Sequence, residues 1–240
     1  MTGTQPSGTL VKAAADFNAD GVDDLLLHNA SSGEFYIALM PSTISNTSSS
    51  IELSYNLVST LSNSFVFKGV ADFNADGKAD IAMRDVSAFG NYVLQSNTNK
   101  VAKTKFGLFD GDIPVAADYD GDGITDIAVR RPKDFMWYVL NSSDGKIQRI
   151  KFGQAAQDIP VVADYDGDGK ADIAVFRPSH SMWYVLRSSD NEIVRLNFGY
   201  SKLDTPVVGD FDGDGKPDIV VANAQSTSLS IFRNTIADTP

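Results

Sequence analysis

Alternating oxygen-bearing side chains in a short loop are the feature of this sequence with the clearest chemistry. In residues 164–172, aspartates occupy loop positions 1, 3, 5 and 9, and Gly169 occupies position 6. Alternate residues of a tight loop can point toward one centre, so the four carboxylates can converge on a single hard cation. Glycine at position 6 permits the positive φ that wraps the chain around that centre. The loop therefore predicts a site for one divalent cation.

The same loop occurs five times, at residues 16–24, 72–80, 118–126, 164–172 and 210–218. Its first aspartates are separated once by 56 residues and then three times by 46 residues. A polar insert close to residues 41–50 explains the longer interval, because a surface loop can be lengthened at small entropic cost. The interval across the joined termini is also 46 residues, as a closed ring of five units would give.

The predicted side-chain ligands share positions 1, 3, 5 and 9 of their loops. They are Asp16, Asn18, Asp20, Asp24, Asp72, Asn74, Asp76, Asp80, Asp118, Asp120, Asp122, Asp126, Asp164, Asp166, Asp168, Asp172, Asp210, Asp212, Asp214 and Asp218. Eighteen of the 31 acidic residues belong to this set, and five divalent cations would change the formal charge from −11 to −1. Asx turns that only reverse the chain are the alternative, but they leave the crowding of like charges unexplained. We predict up to five Ca²⁺ ions, bound more weakly where position 3 is asparagine.

Each repeat has the pattern of four short β-strands. In residues 158–203, four apolar or alternating runs rich in β-branched and aromatic residues are separated by Gly, Pro, Ser, Asn and Asp. No segment has a sustained helical period, and the cation loop falls between the first two runs. A four-stranded unit of about 46 residues in tandem is typical of a β-propeller blade. We predict an all-β β-propeller of five four-stranded antiparallel blades, forming a single domain over residues 1–240.

The loops are not EF-hands, because the twelfth position is apolar in every repeat and lies in a β-run. The five D-x-[DN]-x-D-G-x-x-D loops and the Phe-Gly pairs at 106–107, 152–153 and 198–199 resemble the FG-GAP/VCBS repeats of integrin α-subunit propellers and bacterial surface proteins. The resemblance implies Ca²⁺ between the first two strands of each blade. It also implies a further ligand, the backbone carbonyl of position 7. These residues are Val22, Lys78, Ile124, Lys170 and Lys216.

The composition argues against several classes of function. The chain has no cysteine, which excludes disulfides, thiolate metal sites and cysteine nucleophiles. No apolar run reaches the roughly 20 residues needed to span a bilayer, so we expect no membrane insertion. A formal charge of −11 argues against nucleic acid, whose phosphates need a basic surface. We expect a monomer.

Residues outside the loops give no clear catalytic pattern. His28 and His180 occupy non-equivalent repeat positions, and neither has neighbours that suggest a triad. Trp137 and Trp183 share one repeat position, where packing in the core is favoured over a sugar-stacking platform. The Arg-Pro pairs at 131–132 and 177–178 fit a turn, with contact to an acidic ligand as the alternative. We therefore predict that the protein is not an enzyme.

The predicted function is a calcium-stabilised, non-enzymatic recognition or adhesion module at or outside the cell surface, with a protein or glycan ligand. The modest calcium affinity expected of such loops suits millimolar extracellular calcium. We expect a secreted or cell-surface protein, although residues 1–10 show no signal peptide. A lectin-like propeller and an accessory or catalytic propeller of a polysaccharide-degrading enzyme are the alternatives.

Overall fold

The computed structural model describes residues 5–41, 53–62, 64–85, 90–98, 100–104, 106–107, 109, 111–199, 205–214, 216–222 and 228–234. Contacts within the chain define two compact units, residues 1–109 and 110–240. The described part of both units consists of antiparallel β-sheets joined by turns. The single domain expected over residues 1–240 stays a prediction.

The first unit contains two four-stranded sheets in which sequence neighbours are also sheet neighbours. The strands of the first sheet are β1 (Leu10–Ala15), β2 (Asp24–Asn29), β3 (Glu34–Leu39) and β4 (Ser54–Thr60). The strands of the second are β5 (Phe65–Ala71), β6 (Asp80–Asp85), β7 (Gly90–Gln95) and β8 (Lys100–Thr104). Most of the polar insert predicted near residues 41–50 lies outside the described residues.

The second unit contains three sheets with the same order. The third sheet comprises β9 (Ile113–Pro114), β10 (Ile127–Arg131), β11 (Met136–Leu140) and β12 (Ile147–Lys151). The fourth comprises β13 (Ile159–Pro160), β14 (Ile173–Arg177), β15 (Met182–Leu186) and β16 (Ile193–Asn197). The fifth has three strands among the described residues, β17 (Thr205–Gly209), β18 (Asp218–Ala222) and β19 (Leu229–Phe232). The fourth strand expected for this blade lies outside the described residues.

The predicted fold class, an all-β β-propeller of five antiparallel blades, is confirmed. Each cation loop joins the first strand of a sheet to the second, as the repeat pattern predicts. Strand burial follows the same logic: β14 is almost wholly buried, whereas β16 alternates between exposed and half-buried residues. Inner strands therefore have continuous apolar runs, and outer strands have one solvent-exposed face.

The hydrophobic core lies between successive sheets within each unit. Trp137 and Val139 of the third sheet pack in one buried cluster with Ile173 and Val175 of the fourth. A second cluster joins the fourth and fifth sheets, and a third joins the first and second. Because these faces are apolar on both sides, sheet stacking removes most large side chains of the inner strands from water.

Both tryptophans belong to this core. Trp137 and Trp183 have no exposed surface. The indole N–H groups donate to the backbone carbonyls of Phe152 and Phe198 at 3.1 and 3.0 Å. The sugar-stacking role considered for these residues is therefore wrong, and the interpretation as core is confirmed. The tryptophans also satisfy the carbonyl of the Phe-Gly pair that ends their own blade.

Candidate metal centre

Position 1 of each loop holds the loop backbone in its turn. Asp164 Oδ1 accepts the N–H groups of Gly167 and Asp168 at 2.7 and 3.2 Å, and Oδ2 accepts that of Gly169 at 2.9 Å. Gly169 has φ +85°, the left-handed conformation that glycine adopts without steric cost. The equivalent aspartates at 16, 72, 118 and 210 also accept loop amides. The Asx-turn geometry considered as an alternative is thus present at position 1. It leaves carboxylate oxygens at other loop positions available to bind a metal ion.

The buried carboxylate of position 9 links the loop to the turn that follows the third strand through hydrogen bonds. Asp172 Oδ2 accepts the N–H of Tyr165 at 2.9 Å, and Oδ1 accepts that of Ser188 at 2.7 Å. The same two bonds recur in every repeat, at Asp24, Asp80, Asp126 and Asp218. All five position-9 side chains belong to residues at most 1% exposed. Sequence analysis predicts only a ligand here and misses this structural role.

The carboxylates of positions 3 and 5 accept fewer backbone N–H groups than those of positions 1 and 9. Position 5 accepts the N–H of position 7 through Oδ1, as Asp168 does from Lys170 at 2.8 Å. In the fourth blade, the hydroxyls of Ser188 and Ser189 donate to the Oδ2 atoms of Asp168 and Asp166 at 2.8 and 2.5 Å. The third blade repeats this arrangement with Ser142 and Ser143. The recurring Ser-Ser-Asp turn was the available signal for this contact, which sequence analysis misses.

Three groups of acidic side chains could hold a metal ion, each offering one ligand atom per residue within 4.8 Å of the others. They are Asp118, Asp120 and Asp122; Asp164, Asp166 and Asp172; and Asp210, Asp212 and Asp218. The structure therefore brings together positions 1, 3 and 5 in one loop and positions 1, 3 and 9 in two others. Within the described loops at 16–24 and 72–80, which have asparagine at position 3, no such group of three acids occurs.

The electrostatics of the fourth loop favour a bound cation. Burial raises the pKa of Asp172 to about 6, and the nearby charge of Asp166 adds to the increase. Burial also raises the pKa values of Asp24, Asp80 and Asp126. The Oδ1 atom of Asp166 and the Oδ2 atom of Asp76 are buried without a hydrogen-bond partner. Unpaired, buried carboxylate oxygens among like charges are unfavourable unless a cation compensates them, so these residues fit a divalent metal ion.

The fit applies to positions 1, 3 and 5 of the third loop and to positions 1, 3 and 9 of the fourth and fifth loops. The backbone N–H groups of the five position-7 residues lie against the position-5 carboxylates. The role expected for their carbonyls, and for all 25 ligands as a set, stays a prediction.

Two family matches fall on these repeats. Residues 118–175 match the FG-GAP-like repeat, and residues 204–234 match the FG-GAP repeat. The chain carries FG-GAP repeats. The first match spans the third and fourth cation loops, and the second contains the fifth, so the motif lies on three of the loops described above.

Solved structures similar to this chain are distant in sequence, and the first of those below supports the fold alone. A protein of unknown function from Bacteroides caccae has 11% identity and a TM-score of 0.53, covering 97% of this chain and 81% of that one. BBS1N in complex with ARL6DN has 10% identity and a TM-score of 0.49, covering 95% and 66%. A putative exported protein from Bacteroides fragilis has 11% identity and a TM-score of 0.49, covering 98% and 75%. No curated protein sequence matches significantly.

Two buried ion pairs lie outside the loops. Asp158 binds Arg177 through two bonds of 2.8 Å, and Asp112 binds Arg131 through bonds of 2.8 and 3.0 Å. Both aspartate side chains are wholly buried. Each arginine of the Arg-Pro pairs thus has an acidic partner inside its own chain. The signal available in the sequence is an aspartate 19 residues before the arginine in both repeats.

Both histidines have local contacts. The ring of His28 stacks on Phe35 with centroids 4.2 Å apart, and His180 Nδ1 lies 2.8 Å from the hydroxyl of Ser179. Because His180 and Ser179 are sequence neighbours in an exposed turn, their contact needs no catalytic explanation. In the described part of the chain, no helix has the length and apolar character needed to cross a membrane.

Proposed function

We propose that this chain is a calcium-stabilised, non-enzymatic recognition module that works at or outside the cell surface. The observation that supports the calcium part is the convergence of acidic ligand atoms in three FG-GAP loops, within 4.8 Å in each. All the converging ligand atoms are carboxylate oxygens, and their irregular arrangement suits Ca²⁺ better than Mg²⁺, which requires a stricter octahedral geometry. The ion would supply positive charge where carboxylates crowd.

The stabilising effect of calcium would follow from the contacts of the loop. In the fourth blade, the predicted ligands Asp164 and Asp172 also accept backbone N–H groups from the loop itself and from Ser188, in the turn after the third strand. An ion shared by these carboxylates would link the first two strands to the turn after the third strand. Because the ion binds the folded loop and not the unfolded chain, calcium would raise the free energy of unfolding.

Thermal unfolding with calcium and with EDTA tests this proposal. We expect the melting temperature to rise by several degrees in calcium, since a ligand at 100 times its Kd contributes about 2.7 kcal/mol per site. Asp166→Asn removes a charge whose Oδ1 is buried and unpaired. This variant should lower the calcium affinity in titration calorimetry, but in EDTA it should melt at or above the wild-type temperature.

Glu192→Gln is the matched control, because it removes one negative charge from an exposed residue of the same blade outside the loop. It should leave the calcium response unchanged. A melting curve that responds to neither calcium nor EDTA would refute the proposal. Equal effects of Asp166→Asn and Glu192→Gln would show that the loop charge is not used for metal binding.

The proposed location outside the cell rests on the calcium concentration that the loops would need. A loop with only three acidic ligands would bind calcium weakly, and millimolar calcium concentrations occur outside the cell. The prediction is an apparent Kd between about 10 µM and 1 mM in calorimetry. A nanomolar Kd would instead suit cytosolic calcium and would count against placement outside the cell.

A further inference from the structure

A cleft between the third and fourth sheets combines ligand size with positive charge. It has a volume of about 410 Å³ and is lined by Lys151, Phe152, Gly153, Gln154, Arg177, Tyr184, Ile193 and Arg195. Pockets of about 300–1,000 Å³ are typical of small-molecule sites. The lining residues come from the end of β12, the Phe-Gly turn and strands β14, β15 and β16 of the fourth sheet. They are separate from the residues of the cation loops.

The charge of the cleft is opposite to that of the whole chain. Lys151, Arg177 and Arg195 contribute three cations to the lining, and no carboxylate lines it. The formal charge of the protein is −11. Of the three cations, Arg177 is neutralised by Asp158, while Lys151 and Arg195 lie on exposed positions of their outer strands. The remaining positive charge attracts an anion and disfavours a cation.

The inner wall of the cleft is preorganised. Nε and one Nη of Arg177 bind Asp158, and the guanidinium lies over the ring of Tyr184, 4.7 Å from its centroid. Tyr184 is the cross-strand neighbour of Arg195, which places the hydroxyl and the second guanidinium on adjacent strands. Gly153 has φ +87°, and a Cβ there would lie 3.2 Å from Asp158 Oδ2. The turn therefore holds its backbone against the ion pair.

We infer that this cleft binds an acidic sugar residue, with its carboxylate or sulfate near Lys151 and Arg195. The inference rests on the proposed recognition role and gives that role a ligand class. Guanidinium and ammonium groups form strong charge-assisted hydrogen bonds with carboxylate and sulfate oxygens. The Gln154 amide and the Tyr184 hydroxyl add polar groups of the kind that bind sugar hydroxyls.

The balance of polar and apolar groups favours a saccharide over an acidic peptide. Peptide ligands obtain most of their affinity from large apolar anchors in dry pockets. Here Phe152 is buried, and Ile193 is the one aliphatic side chain in the lining. A lining made mainly of hydrogen-bonding side chains matches the many hydroxyls of a sugar.

Calorimetry in calcium-containing buffer of low ionic strength tests the inference. The probes are a galacturonate trimer, a galactose trimer, galactose 6-sulfate and a hexaglutamate peptide. We expect binding of the galacturonate trimer or of galactose 6-sulfate, none of the neutral trimer, and weakening with added salt. The difference between the two anionic sugars identifies the acid group that the cleft prefers.

The variant Lys151→Ala/Arg195→Ala should weaken binding of the acidic sugar at least about tenfold, because it removes both exposed cations. Its melting temperature should stay near that of the wild type, since both side chains lie on exposed strand positions. Lys133→Ala, an exposed turn residue of the third blade, is the matched control and should bind normally.

Binding that survives the double variant, or tighter binding of hexaglutamate than of either sugar, would overturn the inference. A rise in melting temperature with calcium but no sugar binding would reject the cleft assignment alone. Sugar binding without a calcium response would reject the calcium proposal and keep the cleft. The two failures are therefore distinguishable.

Discussion

Removal of Arg177 should destabilise the second unit by leaving a buried carboxylate without its main partner. In Arg177→Met, Asp158 loses both guanidinium bonds of 2.8 Å. The side chain of Asp158 has no exposed surface, so water cannot replace them. Only the long N–H contacts from Gln154 and Ala155, each at 3.2 Å, remain on Oδ2.

The expected loss follows from the cost of breaking a buried pair. Removing one partner of a buried salt bridge costs about 3–5 kcal/mol, because the other charge stays in a medium of low polarity. The two remaining N–H contacts and the nearby charge of Arg130, which donates to the Asp158 carbonyl, compensate part of this cost, so we expect the lower end, about 3 kcal/mol at pH 7. That is a large part of the stability of an ordinary domain.

The contribution of Asp158 to the free energy of unfolding should depend on pH with opposite signs in the wild type and in Arg177→Met. Burial alone would raise the pKa of Asp158, but the Arg177 guanidinium and the N–H groups of Gln154 and Ala155 outweigh it and lower the pKa. In the wild type, this stabilisation is present above pH 4 and is lost as the pH falls through the lowered value. Without Arg177, burial would raise the pKa, so the contribution of Asp158 would fall as the pH increases above 4.

Urea unfolding of both proteins between pH 3 and pH 8 measures this effect. The stability gap should be small near pH 3, widen as the pH rises and then level off. Arg187→Met is the matched control, because its pair with Asp190 is partly exposed and should contribute less than about 1 kcal/mol. A constant gap across the pH range, or a loss equal to that of the control, would refute the reasoning.

Two further substitutions test packing in the same unit. Gly153→Ala should lower the free energy of unfolding in urea by about 1–2 kcal/mol more than Gly145→Ala. Both glycines have positive φ, but only at Gly153 would a Cβ lie against Asp158. Equal losses in the two variants would contradict this steric explanation. Tyr165→Phe should lower the free energy of unfolding by about 1–3 kcal/mol, because the buried Val161 carbonyl would lose its hydrogen bond of 2.7 Å from the tyrosine hydroxyl. Tyr184→Phe, at a half-buried position, should cost less. A neutral Tyr165→Phe would show that this carbonyl finds another donor.

The sequence predicts the fold well because its signals are local and repeated. A 46-residue period, four β-runs in each repeat and a loop between the first two runs are each visible without knowledge of tertiary contacts. The burial of Trp137 and Trp183 follows from the apolar strands around them. These features depend on neighbours along the chain or on the same position in the next repeat.

The features missed by sequence analysis depend on pairs of residues that are distant in the chain. Asp158 precedes a strand and resembles any exposed acidic residue until its contact with Arg177, 19 residues later, is known. Arg130 is fully buried and donates to the carbonyls of Asp158 and Ala155, in a place where an apolar strand residue is the natural expectation. Patterns of hydropathy describe faces of strands and do not identify such partners.

The side-chain Oδ1 atom at position 3, which asparagine and aspartate share, explains why loops with asparagine keep the same fold. Asn18 and Asn74 accept the N–H of position 5 through Oδ1 at 2.8 and 3.1 Å, as Asp120 does at 3.3 Å. The amide thus preserves the local turn while removing one charge. The backbone bonds of positions 1 and 9 are present in loops with either residue. Loop folding and metal affinity are therefore separable, so the first two blades should tolerate calcium removal better than the last three.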